Sequence, residues 1–366
     1  MKKLNKVGII TWHYYSNFGS SLQAYSLQTI IASIGYDVRI VNYHNPHFGK
    51  TSQIFNLIKL IISSTVGKLP FKFANKFSSG RLEFEYKYLR CGRLTQSIDE
   101  LPNLTSDYYA LVCGSDQIWA PNCFDPIYFA AFANKGIRKI SYAASIGLSE
   151  IPEKLVSKYK EYLSDFYAIG IREQEGKMLL NTQCGIDSKV VLDPTFLLKE
   201  SDYEKIERKV KNCKKDGYLL VYLLNENHQY KEHIIAYAKK HSLRIIGYST
   251  KSGDKHWMQQ LPNLGADQFI WLIHNSAAVM TDSYHGTIFS LLFHKNFYTF
   301  LRFAEGDPIN QNSRIRQLQD YFGLQGHIIG PKDGIDETKP IEYEAFEAKL
   351  NDLRKNSIDF LKIALQ

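Results

Sequence analysis

Short apolar segments alternate with helical segments along most of this chain, in two separate series. In the first series, Val7–Trp12 has the pattern of a buried strand, Ser20–Ile34 that of a helix and Asp37–Tyr43 that of the next strand. The second series opens with a strand at Tyr218–Leu224 and a helix at His228–His241. Strands that are apolar on both faces are typical of parallel sheets covered by helices. The pattern therefore predicts an α/β protein with two Rossmann-like, doubly wound domains.

The chain length also favours two domains. A chain of 366 residues exceeds the size at which a single hydrophobic core usually stops growing. We expect an N-terminal domain at residues 1–198, a charged connector at 199–216 and a C-terminal domain at 217–366, whose last helix could pack back on the N-terminal domain. Ligands of open parallel sheets bind beyond the carboxyl ends of the strands, so two such domains facing each other would place their polar loops around one cleft.

The composition narrows the class of protein. With 44% hydrophobic and 22% charged residues, the chain has the composition of a folded globular protein. Its five cysteines form no CxxC pair, so we expect reduced thiols inside a cell and no metal site of the zinc type. The N-terminal sequence has the pattern of neither a signal peptide nor a transmembrane span. The formal net charge of +8 favours anionic partners, but the basic residues are dispersed and no nucleic-acid motif occurs, so nucleic acid is not an expected partner.

One short apolar segment leaves two interpretations open. Ile54–Val66 reads IFNLIKLIISSTV, and Lys68, Lys72 and Lys76 follow it. Such a segment could form a helix packed on the domain, or it could touch an acidic membrane surface peripherally.

The segment 276–292, SAAVMTDSYHGTIFSLL, has the pattern of a strand, a tight turn and a helix that begins after Gly286. The polar residues of the turn are Thr281, Asp282, Ser283 and His285. A helix N-terminus offers unpaired N–H groups and the positive end of the helix dipole, which together stabilise an anion. A histidine at that position can transfer protons beside a bound phosphate or carboxylate. The alternative is an ordinary turn, in which Asp, Ser and Gly are cap and turn residues and His285 takes no part in chemistry.

Polar loops follow other strands, and each has a structural and a functional interpretation. Thr11–Gln23 could be a helix cap or a second site for an anion or a sugar. In Cys113–Trp119, the polar pair Asp116 and Gln117 precedes an aromatic ring that could stack on a sugar or pack in the core. Small residues at Ala143–Gly147 could allow a ligand close to the backbone or simply fit beneath a helix.

Two further loops carry charge. Arg172 ends a strand, and its planar guanidinium suits a carboxylate or a phosphate, with a salt bridge to a neighbour as the alternative. Asp193 follows the last strand of the first series and could be a hinge cap or a functional acid.

Six motifs occur in order along the chain. They are GSSLQAY (19–25), GSDQIW (114–119), SYAASIG (141–147), IREQEG (171–176), DPTFLL (193–198) and TDSYHGTIFS (281–290). In this order and spacing, the set resembles the polysaccharide pyruvyl transferase family, and the resemblance extends from about Val7 to Leu324. A single motif of this length would be weak, but six in register indicate the family strongly.

The resemblance implies two Rossmann-like domains arranged as in GT-B glycosyltransferases, with phosphoenolpyruvate as the donor. Members of the family place a pyruvate ketal across two hydroxyls of a sugar, in a cell-surface polysaccharide such as an exopolysaccharide or in its lipid-linked precursor. The implied reaction needs a proton at the methylene carbon of the donor, attack by a sugar hydroxyl on the cation-like centre and departure of phosphate. It requires no metal and no cofactor other than phosphoenolpyruvate as co-substrate.

The resemblance assigns donor binding and catalysis to Arg172 and His285. Family members commonly have an arginine two residues before that histidine, where this chain has Ser283. Serine cannot replace a guanidinium beside a doubly anionic donor, so we hypothesise that Arg314 supplies the missing charge from a neighbouring loop. Arg302 also lies nearby in the sequence.

The predicted site has a donor side and an acceptor side. On the donor side, the helix N-terminus and the polar segment beyond it predict contacts from Ser283, Gly286, Thr287, Asn312, Ser313 and Arg314. On the acceptor side, groups that can bind sugar hydroxyls or stack on sugar rings predict contacts from Asn17, Gly19, Gln23, Asp116, Gln117 and Trp119, with Tyr14 and Tyr15 as further stacking residues.

These predictions describe a cytoplasmic transferase, either soluble or bound peripherally at the inner face of the cytoplasmic membrane. Its expected partners are phosphoenolpyruvate and a glycan or lipid-linked oligosaccharide acceptor. One alternative is a GT-B glycosyltransferase with a nucleotide-sugar donor, which would use the same cleft and the same helix N-termini. Another is a glycan-binding relative without catalysis, for which Ser283 in place of arginine is the main argument.

Overall fold

The computed structural model describes residues 5–14, 17–44, 80–211, 213–215, 217–225, 228–249, 256–261, 263–304, 306–307 and 309–366. The apolar segment Ile54–Val66 and the predicted stacking residue Tyr15 lie outside the described residues. Within them the chain forms two six-stranded sheets, and all the strand pairs in both sheets are parallel. The prediction of two Rossmann-like, doubly wound α/β domains is confirmed.

The first sheet has the strand order β2-β1-β3-β4-β5-β6. Its strands are β1 (Lys6–Ile10), β2 (Asp37–Ile40), β3 (Ala110–Cys113), β4 (Arg138–Ala144), β5 (Ala168–Ile171) and β6 (Lys189–Val190). The helices of this part of the chain are α1 (Phe18–Ser33), α2 (Gly80–Tyr88), α3 (Leu101–Leu104), α4 (Glu153–Leu163) and α5 (Gln174–Cys184).

A 3₁₀ turn at Pro194–Phe196 and the short helix α6 (Glu200–Glu204) lead to the second sheet, which has the order β12-β11-β10-β7-β8-β9. Its strands are β7 (Tyr218–Leu223), β8 (Arg244–Ser249), β9 (Gln259–Gln260), β10 (Ala278–Thr281), β11 (Asn296–Phe300) and β12 (Ile328–Ile329). Its helices are α7 (His228–Lys240), α8 (Ala266–His274), α9 (Tyr284–Leu292), α10 (Ser313–Phe322) and α11 (Tyr343–Leu365).

The strand order of each sheet reverses once, and the loops that follow the strands at this reversal lie at the usual ligand-binding position of such sheets. In the first sheet β1 pairs with β2 on one side and with β3 on the other, and in the second sheet β7 pairs with β8 and with β10 in the same way. Every residue of β3, β7 and β10 is buried, as expected for strands covered on both faces. Because ligands of open α/β sheets bind beside such reversal points, the loops that follow β1, β3 and β10 are the first places to look for a site.

Helix α1 is enclosed by both domains. Twelve of its sixteen residues are buried, so it lacks the polar face of an ordinary surface helix. It contacts the turn Pro194–Phe196 and also α8 and α9 of the second domain. Phe18 in its first turn stacks on Phe269 of α8, with ring centroids 4.7 Å apart. The N-terminus of α1 therefore lies between the two sheets.

The last helix, α11, returns to the first sheet. The backbone N–H of Leu192 donates to Ser357 Oγ at 3.0 Å, and the Tyr36 hydroxyl donates to the carbonyl of Leu365 at 2.6 Å. Phe360 lies so close to Gly170 that a Cβ atom at that glycine would be 2.7 Å from the aromatic ring. The C-terminal end of the chain is thus part of the packing around the N-terminal sheet.

Two further observations concern membrane spans and the cysteines. None of the helices in the described ranges is both long enough and apolar enough to cross a membrane. The five cysteines are all described, and none forms a disulfide.

Candidate functional site

Three buried residues from three loops meet where the two sheets face each other. Arg172 follows β5, Asp193 follows β6 and His285 lies in the first turn of α9, directly after β10. At most 5% of each of these side chains is exposed to solvent. The structure therefore brings the two predicted catalytic residues, Arg172 and His285, to the carboxyl ends of the strands, where parallel sheets bind ligands.

Arg172 is held by two carboxylates and still has one free nitrogen. Its Nε donates to Glu173 Oε1 at 2.9 Å and its Nη1 donates to Asp193 Oδ2 at 3.1 Å. Burial alone would lower the pKa of Arg172, but Glu173, Tyr284 and Asp193 outweigh burial and raise it, so the guanidinium stays charged. Its Nη2 is buried and has no hydrogen-bond partner in the described part of the chain. An unpartnered donor on a buried cation is suited to an anionic ligand.

Asp193 connects Arg172 to the other domain. Its Oδ1 caps the 3₁₀ turn, accepting from the backbone N–H of Thr195 at 3.0 Å and from the Thr195 hydroxyl at 2.7 Å. Its Oδ2 accepts from Arg172 and from Ser115 Oγ, and it lies 3.5 Å from His285 Nε2. Burial alone would raise the pKa of Asp193, but His285 and Arg172 hold it well below its ordinary value. Asp193 is therefore both a turn cap and an ionised member of the cluster.

His285 lies between Asp193 and the first turn of α1. Its Nε2 faces Asp193 Oδ2 and makes no hydrogen bond to a described residue. The other side of the ring lies against Gly19, where a Cβ atom would be 2.0 Å from His285 Nδ1. Asn17 begins α1, and its Oδ1 accepts from the backbone N–H of Gly19 at 2.8 Å. Gly19, predicted on the acceptor side, thus allows the imidazole to approach α1.

The N-terminus of α9 is partly capped by its own turn. Ser283 begins the helix, and its Oγ accepts from the backbone N–H of Gly286 at 3.3 Å. The Thr287 hydroxyl, which is fully buried, donates to the carbonyl of Ser283 at 3.0 Å and lies 2.7 Å from Thr299 Oγ1. A Cβ at Gly286 would be 2.5 Å from Thr281 Oγ1, so this glycine serves the close packing of helix on strand. Gly286 and Thr287 thus have hydrogen bonds within the turn and Ser283 acts as the helix cap, while the donor contacts of all three residues stay predictions.

Arg314 is a second buried cation beside the same aromatic ring. Its guanidinium lies 5.7 Å from the centroid of the Tyr284 ring, and that of Arg172 lies 4.5 Å from it. Arg314 Nη2 donates to Gln311 Oε1 at 2.9 Å, and no carboxylate of the described residues forms an ion pair with it. Burial and the positive charges of Arg172 and Arg302 lower the pKa of Arg314 to about 9. A bound anion would offset this lowering of the Arg314 pKa, because it would supply the opposite charge that the cluster lacks around Arg314.

Asn312 and Ser313, the two residues before Arg314, differ in whether their side chains already make hydrogen bonds. The Asn312 side chain donates to the carbonyl of Phe303 at 2.7 Å and accepts from the Phe303 N–H at 3.4 Å. Asn312 therefore fastens the loop after β11, and its donor contact stays a prediction. Ser313 begins α10, and its Oγ has no partner in the described ranges, so its donor contact stays a prediction.

Gln23 has a structural role. It is fully buried in α1, and its Nε2 donates to Thr11 Oγ1, to the carbonyl of Trp12 and to the carbonyl of Ser20, at 2.8 to 3.0 Å. Its Oε1 accepts from the backbone N–H of Ser115 at 3.0 Å. These bonds join α1 to the loops after β1 and β3, and the acceptor contact of Gln23 stays a prediction.

The predicted stacking residues are also covered. Trp119 is fully buried, its ring stacks on Phe129 with centroids 5.4 Å apart, and its Nε1 donates to the carbonyl of Tyr128 at 2.9 Å. Core packing therefore describes Trp119 in this structure, and its contact with an acceptor stays a prediction. One face of the Tyr14 ring is covered by His44, at a centroid distance of 3.9 Å.

Two acceptor predictions remain open at the loop after β3. Asp116 adopts a left-handed backbone conformation, with φ at 73°, and its carboxylate accepts from Ser20 Oγ at 2.5 Å and from its neighbour's backbone N–H at 2.9 Å. Asp tolerates this conformation better than most residues. Gln117 is half-buried and lies against Gly147, where a Cβ atom would be 2.2 Å from its Nε2. Both residues are in place beside α1, and their contacts with an acceptor stay predictions, as does that of Asn17.

One cluster in the described ranges has the composition of a metal site. Ligand atoms of Glu200, Glu204 and His274 lie within 4.8 Å of one another. His274 ends α8, and its Nδ1 hydrogen-bonds Glu207 Oε2 at 2.8 Å. A helix that precedes a parallel strand ends near the amino end of that strand, so this cluster belongs to the opposite edge of the sheet from Arg172 and His285.

Sequence reasoning misses one member of the site, Tyr284, and leaves the role of a second, Asp193, open. Asp193 lies in the DPTFLL motif, and its contacts with Arg172 and His285 depend on how the domains pack. Tyr284 lies between Ser283 and His285, and both arginines adjoin its ring. The signal for Tyr284 is its position at the first residue of α9.

The chain is similar to several solved structures at low sequence identity. For UDP-GlcNAc 2-epimerase from Methanocaldococcus jannaschii, in complex with UDP-GlcNAc and UDP, the identity is 14%, the coverage is 95% of this chain and 94% of that chain, and the TM-score is 0.47. For MnaA from S. aureus with UDP, the identity is 11%, the coverage is 97% of this chain and 90% of that chain, and the TM-score is 0.49. For heptosyltransferase WaaC from E. coli with ADP-2-deoxy-2-fluoro heptose, the identity is 11%, the coverage is 86% of this chain and 99% of that chain, and the TM-score is 0.38. Similarities this distant identify no ligand for this chain.

The sequence comparisons are more informative. No curated protein matches the chain. The family model for polysaccharide pyruvyl transferase matches residues 17–302, which is most of the chain and includes both Arg172 and His285, whereas Arg314 lies beyond it. This chain therefore belongs to the polysaccharide pyruvyl transferase family.

Proposed function

We propose that this protein transfers the pyruvyl group of phosphoenolpyruvate to two hydroxyls of a sugar, forming a pyruvate ketal in a cell-surface polysaccharide or its lipid-linked precursor. One observation carries the proposal beyond family membership. Two buried arginines from different domains, Arg172 and Arg314, adjoin the Tyr284 ring, and His285 follows that tyrosine in the chain. Cationic groups beside a proton-transferring histidine are what an enol phosphate requires.

The donor has two anionic groups, a carboxylate and a phosphate. Arg172 Nη2 has no hydrogen-bond partner among the described residues and is available to one of them. Arg314 has no carboxylate partner in the described ranges, and it would take the second anion in place of the arginine that Ser283 replaces. In a buried site, such charge-assisted hydrogen bonds are stronger than in water and hold the donor in one orientation.

The reaction balances with one proton transfer at the donor carbon. His285 delivers a proton to the methylene carbon of the enol phosphate, which becomes the methyl group, and a sugar hydroxyl attacks the resulting cation-like carbon. The carbon–oxygen bond to phosphate then breaks, and the second hydroxyl closes the ketal. Of the two hydroxyl protons, one replaces the proton given to the methyl group and the other leaves with phosphate. Asp193 Oδ2, 3.5 Å from His285 Nε2, orients the imidazole for this step.

The acceptor would enter from the loops after β1 and β3. Asn17, Asp116 and Gln117 remain the candidates to orient its hydroxyls, because carboxylate and carboxamide groups bind hydroxyls through hydrogen bonds. We place the reaction in the cytoplasm, where phosphoenolpyruvate is made, at the inner face of the membrane if the acceptor is lipid-linked.

The first test is a thermal-shift comparison with phosphoenolpyruvate, UDP-sugars and GDP-sugars. A ligand that binds only the folded state at a hundred times its Kd stabilises that state by about 2.7 kcal/mol. We expect phosphoenolpyruvate to stabilise the wild type and the control Arg93→Ala, whose side chain is 72% exposed, but not Arg172→Lys, which keeps the charge and loses the planar guanidinium. Stabilisation by a nucleotide sugar alone would overturn the donor assignment.

The second test measures turnover. The protein is incubated with phosphoenolpyruvate and a panel of sugars and lipid-linked oligosaccharides, and both phosphate release and the mass of a pyruvate ketal on the acceptor are followed. Ketal formation that is lost in His285→Gln supports the proposal. Glycan binding without turnover, unchanged in His285→Gln, would instead favour a glycan-binding protein.

A further inference from the structure

Helix α5 begins without a cap from its own chain segment. The first N–H groups of a helix need acceptors outside the helix, and the residue before the helix usually supplies one from its side chain. That residue is Glu173, and its side chain makes no such bond: its Oε1 accepts from Arg172 Nε at 2.9 Å, and its Oε2 has no partner among the described residues. The acceptor for the first N–H of α5, that of Gln174, comes from the other domain, where Gln317 Oε1 accepts it at 2.7 Å.

The other end of the same carboxamide binds the same loop. Gln317 Nε2 donates to the carbonyl of Arg172 at 3.0 Å. Both polar ends of one side chain on α10 therefore hold the three residues from Arg172 to Gln174. Two hydrogen bonds of opposite sense fix the position and the rotation of this short segment better than either bond alone.

Helix α10 also carries Arg314, three residues before Gln317. Residues three apart lie on the same face of a helix. One face of α10 therefore supplies a cation to the cluster and holds the loop that supplies the other cation, Arg172. The spacing between the two guanidinium groups is set by these two contacts of a single helix with Tyr284 and with the Arg172 loop.

We propose that Gln317 is a positioning residue, which caps α5 from the opposite domain and so holds Arg172 beside Arg314 for anion binding. The inference rests on the proposed function only in naming phosphoenolpyruvate as the anion. Without the carboxamide, the N–H groups of the first turn of α5 would recruit the Glu173 carboxylate, whose Oε2 already lies near Gly176 in that turn. Glu173 would then release Arg172 Nε, and the guanidinium would lose its fixed orientation.

The test compares Gln317→Met with Gln319→Met. Methionine keeps the length of glutamine and removes both hydrogen bonds. Gln319 is on the same helix, is equally half-buried and has no side-chain hydrogen bond to a described residue, so it is the matched control. For each protein we would measure hydrogen exchange of the backbone amides from residue 174 to 177, binding of inorganic phosphate and phosphoenolpyruvate by calorimetry, and kcat and KM for the donor.

We expect Gln317→Met to exchange faster at the first turn of α5, to bind both anions about tenfold more weakly and to raise the KM for phosphoenolpyruvate by a similar factor, with kcat changed less than about threefold. Gln319→Met should match the wild type. Gln317→Glu, which can still accept from Gln174 but cannot donate to Arg172, should retain slow exchange at the α5 turn, and it serves as the second variant if the methionine protein fails to fold.

The outcomes separate the two proposals. Fast exchange with unchanged anion binding would make Gln317 a purely structural cap and overturn the inference, as would unchanged exchange. A wild type that binds phosphate but does not turn over phosphoenolpyruvate would refute the proposed function, while weaker phosphate binding in Gln317→Met would still support the positioning role. A wild type that binds neither anion would refute both.

Discussion

Substitution of Gly19 by alanine tests the position of His285 directly. A Cβ atom at Gly19 would lie 2.0 Å from His285 Nδ1, 2.4 Å from its Cγ and 2.8 Å from its Cβ. Ordinary contacts between such atoms are about 3.5 Å or longer, so the imidazole must withdraw by about 1.5 Å or the two domains must separate. The ring is buried, with Asp193 on its Nε2 side and Gly19 on its Nδ1 side.

The sign of the stability change is what makes this substitution informative. Gly19 lies in the first turn of α1, and glycine is less favourable in a helix than alanine by about 1 kcal/mol. Without a steric clash, Gly19→Ala would therefore stabilise the protein. Overpacking a buried contact costs about 1–3 kcal/mol, so we expect net destabilisation of up to about 2 kcal/mol. A misplacement of about 1 Å at the proton donor is expected to lower kcat by about a hundredfold.

The measurement combines denaturant unfolding with kinetics on the acceptor identified by the turnover screen. Gly92→Ala is the control, because a Cβ at Gly92 would meet nothing closer than 3.4 Å. The Kd for phosphoenolpyruvate should change less than about threefold in both variants, since the two arginines are untouched. A Gly19→Ala protein that is more stable than the wild type and fully active would show that His285 does not contact α1, and the proposed site would be wrong.

Three further predictions concern the charged cluster and the core. Asp193→Asn removes one partner of a buried ion pair and should lower the unfolding free energy by about 3–5 kcal/mol. The pKa of Asp193 is lowered in the folded protein, so its ionised carboxylate contributes to the unfolding free energy above the unfolded-state pKa of about 3.9, and this contribution is lost as the pH falls below that value. The difference in unfolding free energy between the wild type and Asp193→Asn should therefore be constant between about pH 7 and pH 5 and should narrow below about pH 4. Arg314→Met should leave thermal stability unchanged or raise it, because it removes a buried cation that has no carboxylate partner among the described residues. The same substitution should weaken donor binding by at least about tenfold, whereas the control Arg316→Met should leave donor binding unchanged. Trp119→Phe should lower the unfolding free energy by about 2–4 kcal/mol and leave the KM for the acceptor unchanged, whereas a raised KM with full stability would support the sugar-stacking role.

The fold was predictable because its signal is local. A strand covered on both faces is a short, continuous apolar run, so the predicted strand Val7–Trp12 corresponds to β1 at Lys6–Ile10, and Tyr218–Leu224 to β7 at Tyr218–Leu223. The helix predicted at Ser20–Ile34 begins two residues earlier, because Asn17 caps it.

The sequence leaves open which polar residues near a helix start are engaged within the protein. In the structure, the side chains of Thr287 and Gln23 donate to backbone carbonyls three or four residues before them in the chain. Trp119 has the same residue type and neighbours as a sugar platform, and only its burial against Phe129 distinguishes the two roles. Which polar group remains free is decided by packing between distant segments, as the contact of Gln317 with Gln174 illustrates.

The substitution at position 283 offers a direct test of compensation between Ser283 and Arg314. Both residues adjoin Tyr284, Ser283 in sequence and Arg314 through its guanidinium, so an arginine at either position could supply charge to the same donor. We expect Ser283→Arg alone to lose about 1 kcal/mol from the helix cap and to improve donor affinity little, since Arg314 already occupies the role. In the Arg314→Met background the same change should restore donor binding by about tenfold, measured as a double-mutant cycle on the Kd for phosphoenolpyruvate. Additive effects of the two substitutions would show that they act on different parts of the site, and Arg314 would then not be the replacement for the family's missing arginine.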